Sequence, residues 1–140
     1  MKLAESVKRL ILFLSLFFYF GCAVTNKNTP VTNSSDFLTQ EQIASYLEKA
    51  KLGDAGAAYR LSQYYEFWIY ETNSALKWLS ISATNGNPSA ECNLGVYYSN
   101  SSNPSSNEIA NAKYWFGRLA LTGNTNAINK LAEFDKQAGH

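Results

Sequence analysis

Two cysteines and one histidine are the residues of this 140-residue chain best suited to nucleophilic or metal chemistry. His140 is the last residue, a place that does not favour a buried catalytic or metal-binding role. Cys92 has no histidine near it in sequence that could activate its thiol, so we expect a buried structural cysteine. Zinc, P-loop, serine-hydrolase and CxxC motifs do not occur either. The sequence therefore predicts neither an enzyme nor a protein with a cofactor or metal.

Cys22 is the cysteine whose sequence setting suggests a reaction. Residues 10–20 read LILFLSLFFYF, follow a start with three basic residues, and lead directly into Gly21. Eleven residues of helix rise about 16 Å, which is about half the hydrocarbon thickness of a bilayer. The segment is therefore short for a transmembrane helix and typical of the hydrophobic region of a signal peptide.

Gly21 followed by Cys22 resembles the lipobox of bacterial lipoproteins, in which signal peptidase II cuts before a cysteine that carries acyl chains. Tyr19 and Phe20 depart from the Leu and the Ala or Ser that are usual before the small residue. The resemblance implies a signal peptide over residues 1–21 and lipidation of Cys22, so that no disulfide framework is expected. An uncleaved membrane anchor and ordinary secretion are the alternatives.

Residues 22–37 are polar, apart from a few small or apolar side chains, and predict a flexible tether behind the lipid. Ala23 stands where lipoproteins retained in the inner membrane often have Asp, so the resemblance implies an outer-membrane protein facing the periplasm if the cell has two membranes. The signal segment holds 3 of the 12 basic and 1 of the 11 acidic residues, which leaves 9 and 10 and a net charge of −1. Because no basic run remains, nucleic-acid binding is not expected.

Residues 38–140 contain a repeated pattern. A glycine is followed at once by Asp or Asn, then by Ala four residues and Leu eight residues after it, beginning at Gly53, Gly86 and Gly123. A second pattern of Ala, Trp, Ala and Gly, separated by three, five and three residues, leads into the two later glycines; it occurs at Ala75, Trp78, Ala83 and Gly86 and at Ala112, Trp115, Ala120 and Gly123.

Each element of the pattern has a structural reason. The glycine suits the left-handed position that ends a helix, and the Asp or Asn caps the next helix. A capping box at Thr39 and Gln42 predicts an earlier helix that ends near Leu52. The two tryptophans, Trp78 and Trp115, are expected to fill the core between the helices. The pattern predicts a stack of helix–turn–helix units.

These spacings resemble the Sel1-like repeats, relatives of the tetratricopeptide repeats, which read approximately A-x-x-x-L-G-x-x-Y and then K-A-x-x-W-x-x-x-A-A-x-x-G. The first unit has Ser62 where the family has Gly. The resemblance covers about residues 44–134 and implies an all-α fold. It further implies a short right-handed α-solenoid of about two and a half repeats that binds another protein. In the second unit the first half of the motif is carried by Ala90, Leu94, Gly95 and Tyr98.

The first helix of each unit lines the concave side of such a solenoid, so its outward residues are candidates for partner contact. A solvated surface with incidental aromatic residues is the alternative. Those candidates are Tyr59, Arg60, Gln63 and Tyr64 in the first unit and Glu91, Asn93 and Tyr97 in the second. In the last unit Asp135 replaces the tyrosine of the others, which marks a terminal cap.

The segment between the two helices of the first unit is unusually apolar. In place of the Gly-rich turn of the family it contains Phe67, Trp68, Ile69 and Tyr70. Either Phe67 and Trp68 fold back to cover the first helices, or the segment is an exposed anchor for a partner. Phe67, Trp68 and Tyr70 are therefore further binding candidates. The corresponding segment of the second unit, residues 99–107, is polar and predicts an ordinary loop.

Together these features predict a lipid-anchored protein-binding module of the bacterial cell envelope. Its most specific form is an immunity protein that neutralises a periplasmic toxic effector such as a secreted phospholipase, because short Sel1-like lipoproteins resemble such immunity proteins. The alternative is a structural or assembly adaptor of the envelope that has no toxin partner. In either form the expected partners are another protein and the membrane, with no small-molecule substrate.

Overall fold

The computed structural model of this chain describes residues 38–138, and this part is entirely helical, without strands. The all-α prediction is therefore confirmed for these residues. The predicted signal peptide, Cys22, the whole of the predicted tether and His140 lie outside the described residues. Six α-helices and one π-helical segment follow in order: α1 Gln40–Lys51, α2 Ala55–Tyr64, π1 Tyr65–Ile69, α3 Thr72–Thr84, α4 Pro88–Ser99, α5 Ser106–Ala120 and α6 Thr125–Ala138.

The helices begin at side chains that satisfy the free amide groups of their first turns. The side chain of Thr39 accepts a hydrogen bond from the backbone of Gln42, whose own side chain accepts from the Thr39 amide, so the predicted capping box is present. A second box joins Ser105 and Glu108 at the start of α5. The Ser-x-x-Glu spacing would have predicted that second box from the sequence.

The repeated glycines end helices as the pattern predicted. Gly53, Gly86 and Gly123 all have φ between 81° and 92°, a left-handed conformation that a side chain would strain. The following side chains of Asp54, Asn87 and Asn124 each accept a hydrogen bond from the backbone three residues later. Short turns of this kind fold consecutive helices back on each other as hairpins.

Contacts between consecutive helices give their relative direction. Ser82, near the end of α3, donates a hydrogen bond of 2.6 Å to the carbonyl of Ala55 at the start of α2. Glu91 in the first turn of α4 forms an ion pair of 2.9 Å with Arg118 near the end of α5. Since each contact joins the start of one helix to the end of its neighbour, these helices run antiparallel.

The direction of the helices divides the stack into two ends. The glycine turns lie at one end, which we call the turn end, and a methyl group at Gly53 would lie 3.9 Å from the Oδ1 atom of Asn85 in the next turn. The opposite end, which we call the loop end, contains the start of α1, the π1 segment and the loop before α5. Neighbouring hairpins are thus in contact at their turns.

The core consists of small and medium-sized side chains between adjacent helices. Ala57 and Leu61 of the first unit are buried, as are Ala90 and Leu94 of the second, in agreement with the predicted stripes. Tyr98 is partly buried and packs on two of the three buried clusters.

The prediction that the two tryptophans fill the core is wrong in detail. Trp78 and Trp115 are only partly buried and pack at the edges of the buried clusters. The residues that follow them in the sequence, Leu79 and Phe116, occupy the interior instead. Each indole has a cation beside it: Lys77 Nζ lies 5.6 Å from the Trp78 ring centroid, and Arg118 Cζ lies 5.5 Å from that of Trp115. A rim position lets an indole contact both the apolar core and a charged group.

None of the helices within residues 38–138 is both long enough and apolar enough to cross a bilayer.

Candidate functional site

A hydrogen bond joins the first helices of the two complete units. The side-chain amide of Asn93 on α4 donates to the hydroxyl oxygen of Tyr59 on α2 over 3.2 Å. The Tyr59 ring also packs on the buried cluster that contains Ala90 and Leu94. These contacts place α2 and α4 side by side, so that their outward residues form one continuous surface.

Three further residues extend this surface along the two helices. Arg60 Nη1 donates to Gln63 Oε1 over 3.3 Å, and both side chains are partly exposed. Tyr97, one helical turn beyond Asn93, is 38% exposed and its ring stands edge-on to that of Tyr98 at 5.3 Å between centroids. We call the surface made by Tyr59, Arg60, Gln63, Asn93 and Tyr97 the α2–α4 face.

Two of the residues predicted on this face are buried instead. Tyr64 belongs to the core cluster formed by α1 and α2, where its ring meets Tyr65 at 5.5 Å in an edge-to-face arrangement. Because α1 covers that side of α2, Tyr64 offers little surface to a partner. The predicted exposure of Tyr64 is therefore corrected.

The predicted exposure of Glu91 is corrected too, because Glu91 is buried between α4 and α5 and ion-paired with Arg118. Burial of the carboxylate raises the pKa of Glu91, and the positive charge of Arg118 opposes this rise. Arg118 in turn lies over the Trp115 ring. This ion pair could not be predicted, since Glu91 and Arg118 are far apart in the chain and no local spacing relates them.

The apolar segment after α2 continues the helix instead of turning. Residues Tyr65–Ile69 form a π-helical turn, and Tyr70 then ends it in the left-handed region with φ 58°. The backbone amide of Glu71 donates to the Tyr65 carbonyl over 2.9 Å and closes the turn. A π-turn and a left-handed tyrosine are both rare, and such features concentrate at functional sites.

The side chains of this segment answer the question that the sequence left open. Phe67 is partly buried, whereas Trp68, Ile69 and Tyr70 are exposed by 43%, 44% and 67%. The fold-back interpretation thus holds in part for Phe67 and is wrong for Trp68. We call Trp68, Ile69 and Tyr70 the aromatic tip.

Glu66 lies within the same segment and is half-buried. Burial raises its pKa above the ordinary value of 4.5. Within residues 38–138 no basic side chain forms an ion pair with it. Among the described residues, no cation neutralises this carboxylate, which lies two residues before the aromatic tip.

Cys92 lies on α4 and is completely buried, in the cluster that contains Ala112 and Phe116. The expected burial of this cysteine is therefore confirmed, but Cys92 is disulfide-bonded, contrary to the expectation of no disulfide framework. The described part of the chain contains no group of three or more His, Cys, Asp or Glu residues that could hold a metal ion.

Comparison with known proteins gives one relationship. No protein-family model matches the chain, and no solved structure matches it. The chain is 32% identical over 137 residues to a protein of Escherichia coli (strain K12) described as "Uncharacterized protein YibG". The similarity covers 88% of this chain and 89% of the other.

Proposed function

This chain belongs to the same family as YibG of Escherichia coli, and we propose that it is a membrane-tethered protein-binding module of the cell envelope. The observation that carries the proposal is the hydrogen bond between Tyr59 and Asn93, which unites α2 and α4 into one surface. That surface combines aromatic rings with amide and guanidinium groups. Such side chains give large contact areas with polar ends and are favoured in protein interfaces.

We further propose that the hairpins form a short right-handed Sel1-like solenoid. The contact between α2 and α4 and the proximity of Gly53 to Asn85 support it, because both relate equivalent parts of successive units. In a solenoid each unit contacts only its neighbours, and the first helices line one broad surface. The α2–α4 face would then be the concave side.

Site-specific photo-crosslinking in cells tests the proposed contact surface. A photoreactive amino acid replaces Tyr97 on the α2–α4 face, and in a matched control it replaces Tyr114, which lies on α5 and is 57% exposed. The proposal expects one discrete adduct from position 97 and none of that mass from position 114. Adducts that are identical at both positions, or absent at both, would contradict a specific contact through this face.

The identity of the adduct separates the two forms of the proposal. A toxic effector in the adduct supports an immunity protein, and deletion of the gene should then make cells sensitive to kin that deliver this effector. Unchanged survival in that competition would exclude the immunity form. A resident envelope protein in the adduct supports a structural or assembly adaptor. The immunity form rests on the small size of the stack, which suits one tight partner, and on the resemblance to Sel1-like lipoproteins.

The tether has its own test, because the two cysteines constrain each other. The chain has only Cys22 and Cys92. A disulfide of Cys92 within one chain would use the sulfur of Cys22, and a thioether-linked lipid would use the same atom. Mass spectrometry of protein extracted from membranes decides between them: the proposal expects cleavage before Cys22 and a lipid-sized mass on it. An unlipidated Cys22 in a disulfide would overturn the lipid anchor.

A further inference from the structure

Exposed aromatic rings and carboxylates occur together in the segment that follows α2. The aromatic tip leaves a tryptophan and a tyrosine ring open to solvent. The hydrogen bond from the Glu71 amide to the Tyr65 carbonyl closes the π-turn over 2.9 Å. Because that carbonyl belongs to the peptide group between Tyr65 and Glu66, the bond brings the backbones of Glu66 and Glu71 together. The π-turn thus gathers two glutamates beside the exposed rings.

The charge of these two glutamates is not balanced within residues 38–138. No lysine or arginine of this part forms an ion pair with Glu66 or Glu71. Glu91, by contrast, is buried and has Arg118 beside it at 2.9 Å. Burying a carboxylate without a cation costs free energy, and the raised pKa of the half-buried Glu66 reflects that cost. A cation from another molecule would remove a penalty that the free protein retains.

The loop end as a whole also favours a positively charged partner. The first turns of α1 and α5 lie at this end and contribute Glu41 and Glu108. Lys49 and Lys51, in the last turn of α1, lie at the turn end instead. Lys136 is the basic residue that the last turn of α6 brings to the loop end. The field around the aromatic tip is therefore negative, and it attracts basic segments and repels acidic ones.

From this arrangement we propose that the aromatic tip, together with Glu66 and Glu71, binds an arginine side chain in a basic segment of a partner protein. A guanidinium group stacks on aromatic rings and donates hydrogen bonds to carboxylates, so one side chain satisfies both features of the site. Lysine has the charge but lacks the planar group that stacks and forks in this way. None of the residues of the α2–α4 face takes part, so this contact is separate from the one in the proposed function.

Photo-crosslinking in cells, followed by sequencing of the crosslinked peptide, tests the proposal. Benzoylphenylalanine replaces Tyr70 in the full-length chain, which keeps an aromatic ring at this exposed position. We expect a protein adduct whose crosslinked peptide has a net positive charge and an arginine close to the attachment point. An acidic or neutral peptide, a lipid, a second copy of this chain, or no adduct would overturn the proposal. An adduct from position 97 with none from position 70 would overturn this inference and leave the proposed function intact.

Binding of the mapped peptide, made synthetically, then measures the contribution of Glu66. Glu66→Gln should weaken its binding to the purified protein about tenfold, because a hydrogen bond between two charged groups is lost. Glu133→Gln is the control and should bind like the wild type, since Glu133 is ion-paired with Lys130.

A change in the peptide separates a direct contact from a structural effect of the variant. Citrulline in place of the arginine keeps the shape and removes the charge, so it should weaken binding to the wild type far more than binding to Glu66→Gln. Unfolding does not explain a loss of binding in Glu66→Gln if urea unfolding shows that this variant is at least as stable as the wild type. Equal affinity of the wild type and Glu66→Gln for the arginine peptide would overturn the proposal.

Discussion

Gly95 on α4 lies directly against the ring of Phe116 on α5. A methyl group at Gly95 would stand 2.8 Å from both Cε1 and Cζ of that ring, closer than two carbon atoms can pack. Phe116 is fully buried, so neighbouring side chains prevent the ring from moving aside. In the first unit the corresponding positions hold Ser62 and Leu79, both buried. The larger residue, Phe116, thus faces Gly95 in the second unit. The smaller residue, Leu79, occurs in the first unit, where Ser62 provides a side chain at the glycine position.

Gly95→Ala is expected to destabilise the protein by about 1–3 kcal/mol, since overpacking a filled core forces side chains and backbone to shift. The better helix propensity of alanine, worth about 1 kcal/mol, offsets part of that cost. Gly117→Ala is the matched control, because Gly117 is also helical and no atom would lie within 4 Å of the added methyl group. It should raise stability by about 0.5–1 kcal/mol. Urea unfolding followed by helical circular dichroism measures both, and a similar change in the two variants would refute the close packing.

Phe116→Ala should cost about 3–5 kcal/mol, the range for removing a large buried side chain. The effect of Trp115→Ala should be clearly smaller, about 2 kcal/mol, because the Trp115 ring is only partly buried and lies at the rim. The two residues are adjacent on α5, so the comparison separates interior from rim within one helical turn. Thermal unfolding gives the order of the two variants. A larger loss for Trp115→Ala would mean that the indole, as the repeat pattern predicted, is the true core residue.

The helix boundaries could be predicted from the sequence because they depend on local chemistry. A left-handed glycine at Gly53 and a capping side chain at Asp54 act within one turn of chain, so their spacing alone specifies where one helix ends and the next begins. The alanine and leucine stripes were predictable for a similar reason. A helix that must pack on both neighbours needs small and medium-sized residues at fixed intervals.

The side chains of the candidate surface could not be predicted equally well, because their exposure depends on the neighbouring helix. Tyr64 and Tyr97 occupy equivalent positions after their glycines, yet Tyr64 is buried and Tyr97 is exposed. The difference arises because α1 lies against the end of α2, and the sequence of α2 alone does not indicate this contact. The ion pair of Glu91 with Arg118 likewise depends on the register of two helices. The π-turn at Tyr65–Ile69 has no local sequence signal at all.

Ser82→Ala tests the hydrogen bond that joins α3 to α2. The Ser82 hydroxyl is buried and donates to the Ala55 carbonyl in another helix, so its loss should cost about 1 kcal/mol. Thr84→Ala serves as the control, since its exposed hydroxyl donates to the Ser80 carbonyl of its own helix. That variant should be within about 0.5 kcal/mol of the wild type. Equal stability of the two variants in chemical denaturation would show that the contact between the helices contributes nothing.

The pKa values of Glu66 and Glu108 shift in opposite directions, so the contributions of the two glutamates to stability should depend on pH in opposite ways. Burial raises the pKa of Glu66 above 4.5, so the ionised form destabilises the fold; this penalty is absent below pH 4.5 and grows as the pH rises through the folded pKa. Glu66→Gln should therefore be more stable than the wild type at pH 7 and lose that advantage near pH 4.

Glu108 should show the opposite dependence. Hydrogen bonds from the Ser105 backbone and hydroxyl lower the pKa of Glu108, so its charge contributes stability above pH 4.5 that is lost as the pH falls toward the folded pKa. Glu108→Gln, which keeps the capping-box geometry, should be less stable than the wild type at pH 7, with the difference shrinking in acid. Denaturation midpoints of both variants between pH 3.5 and 7.5 give the two slopes. If the two variants change in the same direction with pH, the burial of Glu66 in the π-turn does not govern its ionisation.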